Sequence, residues 1–187
     1  MISISVLEYN KADMPGITIH LAAANEYLNK HPEENRSEFL LGAIDPDYLG
    51  DTSDTHHSSP DIFSNGLAYL VGKVNLRAAL SDFDFKTSYG RGYFFHLVAD
   101  ETFYREVSEM GLKFEAMSYK ELRDLLYNDY AVSSNIIKSK YCVVFPEKCK
   151  EYDLDVKGNM KLLSVDELSA FVERIGALDL DDYYSKI

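Results

Sequence analysis

The chain has 187 residues, enough for one domain with a substantial core and no need of disulfide staples. Its hydrophobic share is 46% and its charged share 27%, a balance that excludes a disordered or a membrane-embedded chain. The formal charge of −12 repels phosphate backbones and anionic lipid surfaces, so nucleic-acid binding through a basic surface is excluded, and a phosphate-bearing ligand would need a cation to meet it.

The first residues, MISISVLEYNKADMPG, lack a basic segment followed by an apolar run and a small-residue cleavage site, and no run of 18 apolar residues occurs. The expectation is therefore a cytoplasmic protein without a transmembrane segment. Cys142 and Cys149 fit neither a metal knuckle nor a disulfide framework and read as reduced thiols.

Taken in order, 17–30 reads as a helix started by the Pro15-Gly16 turn, with Leu21, Ala24 and Leu28 at helical spacing, and closed by His31-Pro32. A second, short helix runs from Ser37 through EFLLGAI until Asp45-Pro46 pushes the backbone out of the helical region. Residues 48–61, rich in Asp, Ser and Thr, read as a long loop carrying His56 and His57. Helical character resumes over 62–80, and SDFDF at 81–85 interrupts it. About five turns of helix follow over 92–110, ended by Gly111 in a left-handed cap.

A capping box of Ser118 and Glu121 opens a helix over 118–130. Residues 136–145 are ambiguous, because YCVVF fits either a short β segment at 141–145 or a buried helical end. Ser164 and Glu167 form a second capping box, and Leu168, Phe171, Val172 and Ile175 follow at i, i+3, i+4, i+7 as an apolar face. The acidic tail LDLDDYY reads as loose. The fold class expected is all-α, a compact multi-helix bundle in a single domain spanning 1–187.

The chemistry concentrates on a few residues. His96 and Asp100 stand four apart in the apolar stretch YFFHLVAD, so both project from one helix face and can grip one cation with imidazole and carboxylate together. The plainer alternative is a His-Asp hydrogen bond that satisfies a core position. Asp47 offers a second oxygen donor at the start of the loop, and His56 or His57 a further nitrogen. Two histidines and two carboxylates suit zinc without any thiolate. His20, followed by small apolar residues, is a further candidate or a structural core histidine.

Four words in this order, ITIHLA at 17–22, FLLGAIDPD at 39–47, DTHHS at 54–58 and GYFFHLVAD at 92–100, resemble the zinc-dependent phospholipase C family, of the phospholipase C/P1 nuclease type of fold. The resemblance covers about the first hundred residues. It implies a zinc site ligated by His20, Asp47, His56, His96 and Asp100, with His57 in reserve, one or two zinc ions, and Asp47 as catalytic base as well as ligand. His56 is preferred over His57 because it directly follows Thr55. Asp45 is offset by two positions and suits a carboxylate that orients a ligand.

After His96 the chain has no further histidine, and it has no Trp, so carboxylates (Glu101, Glu115 or Asp129) are the groups available to extend the cluster. The implied activity is metal-dependent hydrolysis of a small phosphoester. The competing readings are a non-catalytic protein with a structural zinc ion and a helical interaction scaffold whose many tyrosines form a protein interface.

Overall fold

A computed structural model describes residues 15–48, 52–57, 74–109, 119–146 and 158–187. The described residues are helical and contain no strand, in an all-α architecture. In chain order the helices are α1 (Pro15–Lys30), α2 (Arg36–Gly42), α3 (Asp45–Tyr48), α4 (Thr52–Thr55), α5 (Leu76–Ala79), α6 (Ser88–Glu109), α7 (Tyr119–Lys140), α8 (Val165–Ile175) and α9 (Leu180–Ser185).

Helix α1 lies at the centre. Its LAAA run (Leu21 to Ala24) is fully buried, and these small side chains let α7 and α8 pack closely against it while α2 lies along α6. Alanine also has the highest helix propensity, so the same residues favour the helix locally and thin it for close packing. One apolar cluster joins α1, α2, α6, α7, α8 and α9, with Tyr27, Phe39, Phe94, Phe95, Leu168 and Ile175 among its fully buried members.

Two glycines set how near α2 comes to α6. A Cβ on Gly92 would lie 2.1 Å from the Phe39 carbonyl oxygen, and one on Gly42 would lie 2.0 Å from that of Tyr89. Only a residue without Cβ permits this approach. The crossing matters for the site, because it brings the end of α2 within hydrogen-bond reach of the middle of α6.

Several elements differ from the sequence reading, each for a local reason. The Asp45-Pro46 pair, expected to leave the helical region, instead starts a single helical turn, α3, and the stretch expected to be one loop contains another, α4. Thr55 ties them together by donating its hydroxyl to the Pro46 carbonyl at 2.7 Å. Of the helix expected over 62–80, only α5 is described, capped by the Asn75 side chain; 62–73 lie outside the described residues.

Helix α6 begins at Ser88, ahead of Gly92, and the expected Gly111 cap lies outside the described residues, as does Ser118 of the first capping box. Helix α7 continues ten residues past Tyr130. The β alternative at 141–145 does not occur: the chain leaves α7 through Cys142 at φ 48°, a left-handed cap in which Val143 N–H bonds back to the Lys138 carbonyl at 3.0 Å.

The second capping box forms as read, with Ser164 accepting from Glu167 N–H and the Glu167 carboxylate accepting from Ser164 N–H. The tail is not loose. Asp179 caps α9, Leu180 enters the core, and Tyr184 stacks on Phe85 with ring centroids 4.0 Å apart. Arg91 secures it further, with a two-pronged ion pair to Asp181 and a bond to Glu34. No helix among the described residues is long and apolar enough to cross a membrane.

Candidate metal centre

Asp47, His56, His96 and Asp100 converge. One ligand atom from each lies within 4.8 Å of all the others, a grouping that could hold a metal ion. His96 and Asp100 come from successive turns of α6, Asp47 from α3 and His56 from the end of α4. His96 is fully buried and His56 nearly so, while the side chains of Asp47 and Asp100 keep 21% and 15% of their exposure. The imidazoles thus form the floor of the centre and the carboxylates its solvent side.

The hydrogen bonds behind the two imidazoles decide what they can do in front. His96 Nδ1 lies 2.8 Å from the Ala43 carbonyl, which can only accept, so the ring proton sits on Nδ1. His56 Nδ1 lies 2.9 Å from Thr55 Oγ1, whose own proton goes to the Pro46 carbonyl, so this ring also donates from Nδ1. In the neutral form of each ring Nε2 therefore presents a lone pair; the two Nε2 atoms face each other at 3.2 Å, and His56 Nε2 also lies 3.1 Å from Asp100 Oδ2, where a proton sits when that ring is charged.

Asp100 Oδ2 stands 3.1 Å from His56 Nε2 and 3.7 Å from His96 Nε2, and Asp47 Oδ1 stands 3.8 and 3.7 Å from the same two atoms. Four acceptors aimed at one point repel one another unless a cation or a proton lies between them. A backbone carbonyl and a hydroxyl fixing the far nitrogen of each histidine is also how metal-ligating imidazoles are commonly oriented.

The titration behaviour reflects the same crowding. Burial alone would push the Asp100 carboxyl up, but the facing imidazoles of His20, His56 and His96 hold it well below the usual carboxylate range. Burial would lower His20 and His56, but Asp100 and then Asp47 outweigh it and raise both. His96 is driven well below its ordinary value by burial first and then by the neighbouring His20.

His20, on α1, reaches the cluster from behind. Its Nε2 lies 3.1 Å from the other Asp100 oxygen, Oδ1, and its ring stacks on His96 at 3.9 Å. The reserve residues lie elsewhere. His57 adopts φ 50°, which turns its ring away from that of His56, and its Nε2 bonds to Asp82 at 2.6 Å. The buried Asp129 carboxylate accepts the backbone N–H groups of Lys161, Leu162 and Leu163 at 2.6, 2.6 and 2.8 Å. It anchors the turn before α8 rather than facing an ion.

Of the other carboxylates considered, Glu101 accepts from the Tyr183 hydroxyl and pairs with Arg105, and Glu115 lies outside the described residues. Asp45 accepts from the Tyr89 hydroxyl at 2.8 Å, which ties α3 to α6.

Three contributors escaped the sequence reading. Thr55 was noted only as the residue before His56, although its hydroxyl links that ring to α3. The Ala43 carbonyl leaves no mark in a sequence, because any residue supplies one. Tyr104 did have a signal, since it continues the four-residue spacing of His96 and Asp100 along α6. Burial first, and then the charge of Asp100, push its hydroxyl well above the ordinary phenol range. No family model, curated protein or solved structure matches the chain.

Proposed function

We propose that this chain is a zinc-dependent hydrolase of small phosphoesters, its metal held by Asp47, His56, His96 and Asp100. The observation that carries the reading is the pair of Nε2 atoms 3.2 Å apart and faced by carboxylates, with the far nitrogen of each neutral ring placed to hold its proton. Two nitrogen and two oxygen donors suit zinc and offer nothing that selects a softer metal.

When bound, such an ion supplies water of lowered pKa and neutralises charge on a phosphoryl oxygen. The chain's own residues divide the remaining work. His56 and His96 hold the floor and exclude water from it. Asp100, set in a buried frame, contributes a fixed negative charge. Asp47 is the carboxylate furthest from the imidazoles and the most exposed, so it is the group placed to accept the proton of an attacking water. The resemblance to the phospholipase C family supports a phosphoester as substrate, and the −12 charge favours a small one over a polyanion.

A second reading has its own support. Four protein donors are enough to close a zinc tetrahedron, which would make the ion a structural tie of α3 and α4 to α6. The test is turnover of bis(p-nitrophenyl) phosphate and p-nitrophenyl phosphate by the zinc-loaded protein, with Asp47→Asn alongside. Zinc-dependent hydrolysis that is lost in Asp47→Asn is expected. Zinc-loaded protein that hydrolyses neither substrate faster than the metal-free form would refute the hydrolase and leave the structural ion.

A further inference from the structure

Asp100 has two oxygens in different surroundings. Oδ2 faces Nε2 of His56 and of His96, whereas Oδ1 faces only His20 Nε2, at 3.1 Å among the described contacts. His20 is buried, and its other ring nitrogen, Nδ1, has no hydrogen-bond partner among the described residues. A proton on Nδ1 would leave a buried donor unpaired and aim the Nε2 lone pair at a carboxylate. A proton on Nε2 satisfies the carboxylate and leaves only an acceptor unpaired, the cheaper deficit.

His20 therefore carries the tautomer opposite to those of His56 and His96. It donates where they accept. Its ring also lies nearly parallel to that of His96, 18° apart at 3.9 Å, so it cannot swing toward the point where the four ligand atoms meet without displacing a ligand.

From this geometry we infer that His20 is a positioning residue: its Nε2–H holds Asp100 Oδ1, fixing the carboxylate so that Oδ2 alone is presented to the cation, and His20 does not itself ligate. The inference rests on the metal-centre reading above and departs from the ligand role that the family resemblance implied for His20. A carboxylate held by one oxygen cannot rotate to chelate with both, which preserves a coordination position that a two-oxygen grip would occupy.

The test is magnetic resonance of the full chain loaded with isotopically labelled cadmium, together with two variants. Cadmium coupling should appear on the ring protons of His56 and His96 but not of His20. Proton–nitrogen correlations should show His20 protonated at Nε2 and bare at Nδ1.

His20→Ala should weaken metal affinity by about 10–100-fold. His20→Gln, whose amide nitrogen can donate from nearly the same place, should restore most of it, which a merely space-filling role would not require. Cadmium coupling to His20, or a Gln variant no better than Ala, overturns the inference while leaving the metal centre intact. No cadmium uptake at all overturns the metal centre, and this inference with it.

Discussion

Replacing Gly92 by alanine probes the link between helix packing and the metal centre. The new Cβ would lie 2.1 Å from the Phe39 carbonyl oxygen, 2.9 Å from its carbon and 3.0 Å from its Cα, where ordinary contact begins near 3.4 Å. All three atoms belong to the backbone of α2, so no side-chain rotation relieves the clash, and α2 must retreat by about 1 Å.

The 2.8 Å bond from His96 Nδ1 to Ala43, one turn further along α2, would then stretch beyond hydrogen-bond range. Overpacking costs about 1–3 kcal/mol and a lost buried hydrogen bond about 1–3 more, so a destabilisation of about 2–6 kcal/mol is expected. For a chain of this size that lowers Tm by about 4–24 °C. With His96 no longer oriented from behind, zinc affinity should fall by about 10–100-fold as well.

Thermal unfolding by circular dichroism reads the first effect, and competition with a chromogenic chelator reads the second. Gly16→Ala is the control, since a Cβ there meets nothing within 4 Å. A Gly92→Ala protein with unchanged Tm and unchanged zinc affinity would refute the coupling of the α2–α6 crossing to the centre.

Two further outcomes follow from the structure. Asp129→Ala should destabilise the fold by about 3–5 kcal/mol, because three backbone N–H groups before α8 lose their acceptor, while zinc content stays at the wild-type level. Loss of metal in that variant, with the fold retained, would return Asp129 to the site. Above pH 6.5 the pH dependence of stability should reverse sign with metal.

In the metal-free protein His20 and His56 are raised above their ordinary 6.5, so their contribution is complete below that value and lost as pH rises through the folded-state values. His96 is depressed, so its contribution is present above 6.5 and lost as pH falls. Metal-free stability should therefore peak near pH 6.5. With zinc, whose ligands must be deprotonated, stability should keep rising with pH across about 5–8. Urea unfolding at several pH values, with zinc and with a chelator, measures both curves, and parallel curves would contradict the assignment.

Much of the fold was legible because its signals are local. The Ser164–Glu167 capping box and the apolar face of α8 need only their own residues, and so does the alanine run of α1. The break expected at Asp45-Pro46 and the loop expected after it were misread because α3 and α4 are single turns held by the Thr55–Pro46 contact, which no hydrophobic period records. The β alternative for YCVVF arose because a short apolar run looks the same in a strand and beyond a helix end. Only the left-handed turn at Cys142 distinguishes them.

Within the site, the spacing of His96 and Asp100 was readable as one helix face. What the sequence could not supply was orientation. Nothing in the His56-His57 pair reveals that a left-handed backbone turns His57 toward Asp82. Nor does His20 in its apolar setting reveal that it meets the outer oxygen of Asp100. Asp129 looked like a spare ligand because its acceptors' partners, three backbone amides some thirty residues later, are invisible in sequence.

The most direct test of the metal centre is the metal content of untagged protein by inductively coupled plasma mass spectrometry, beside His96→Ala and Asp100→Asn variants checked for retained helix content. At least one zinc equivalent per chain is expected, or taken up on adding zinc, and it should be lost in both variants. Wild-type protein that holds no metal and takes none up, or variants that keep the wild-type content, would contradict the account.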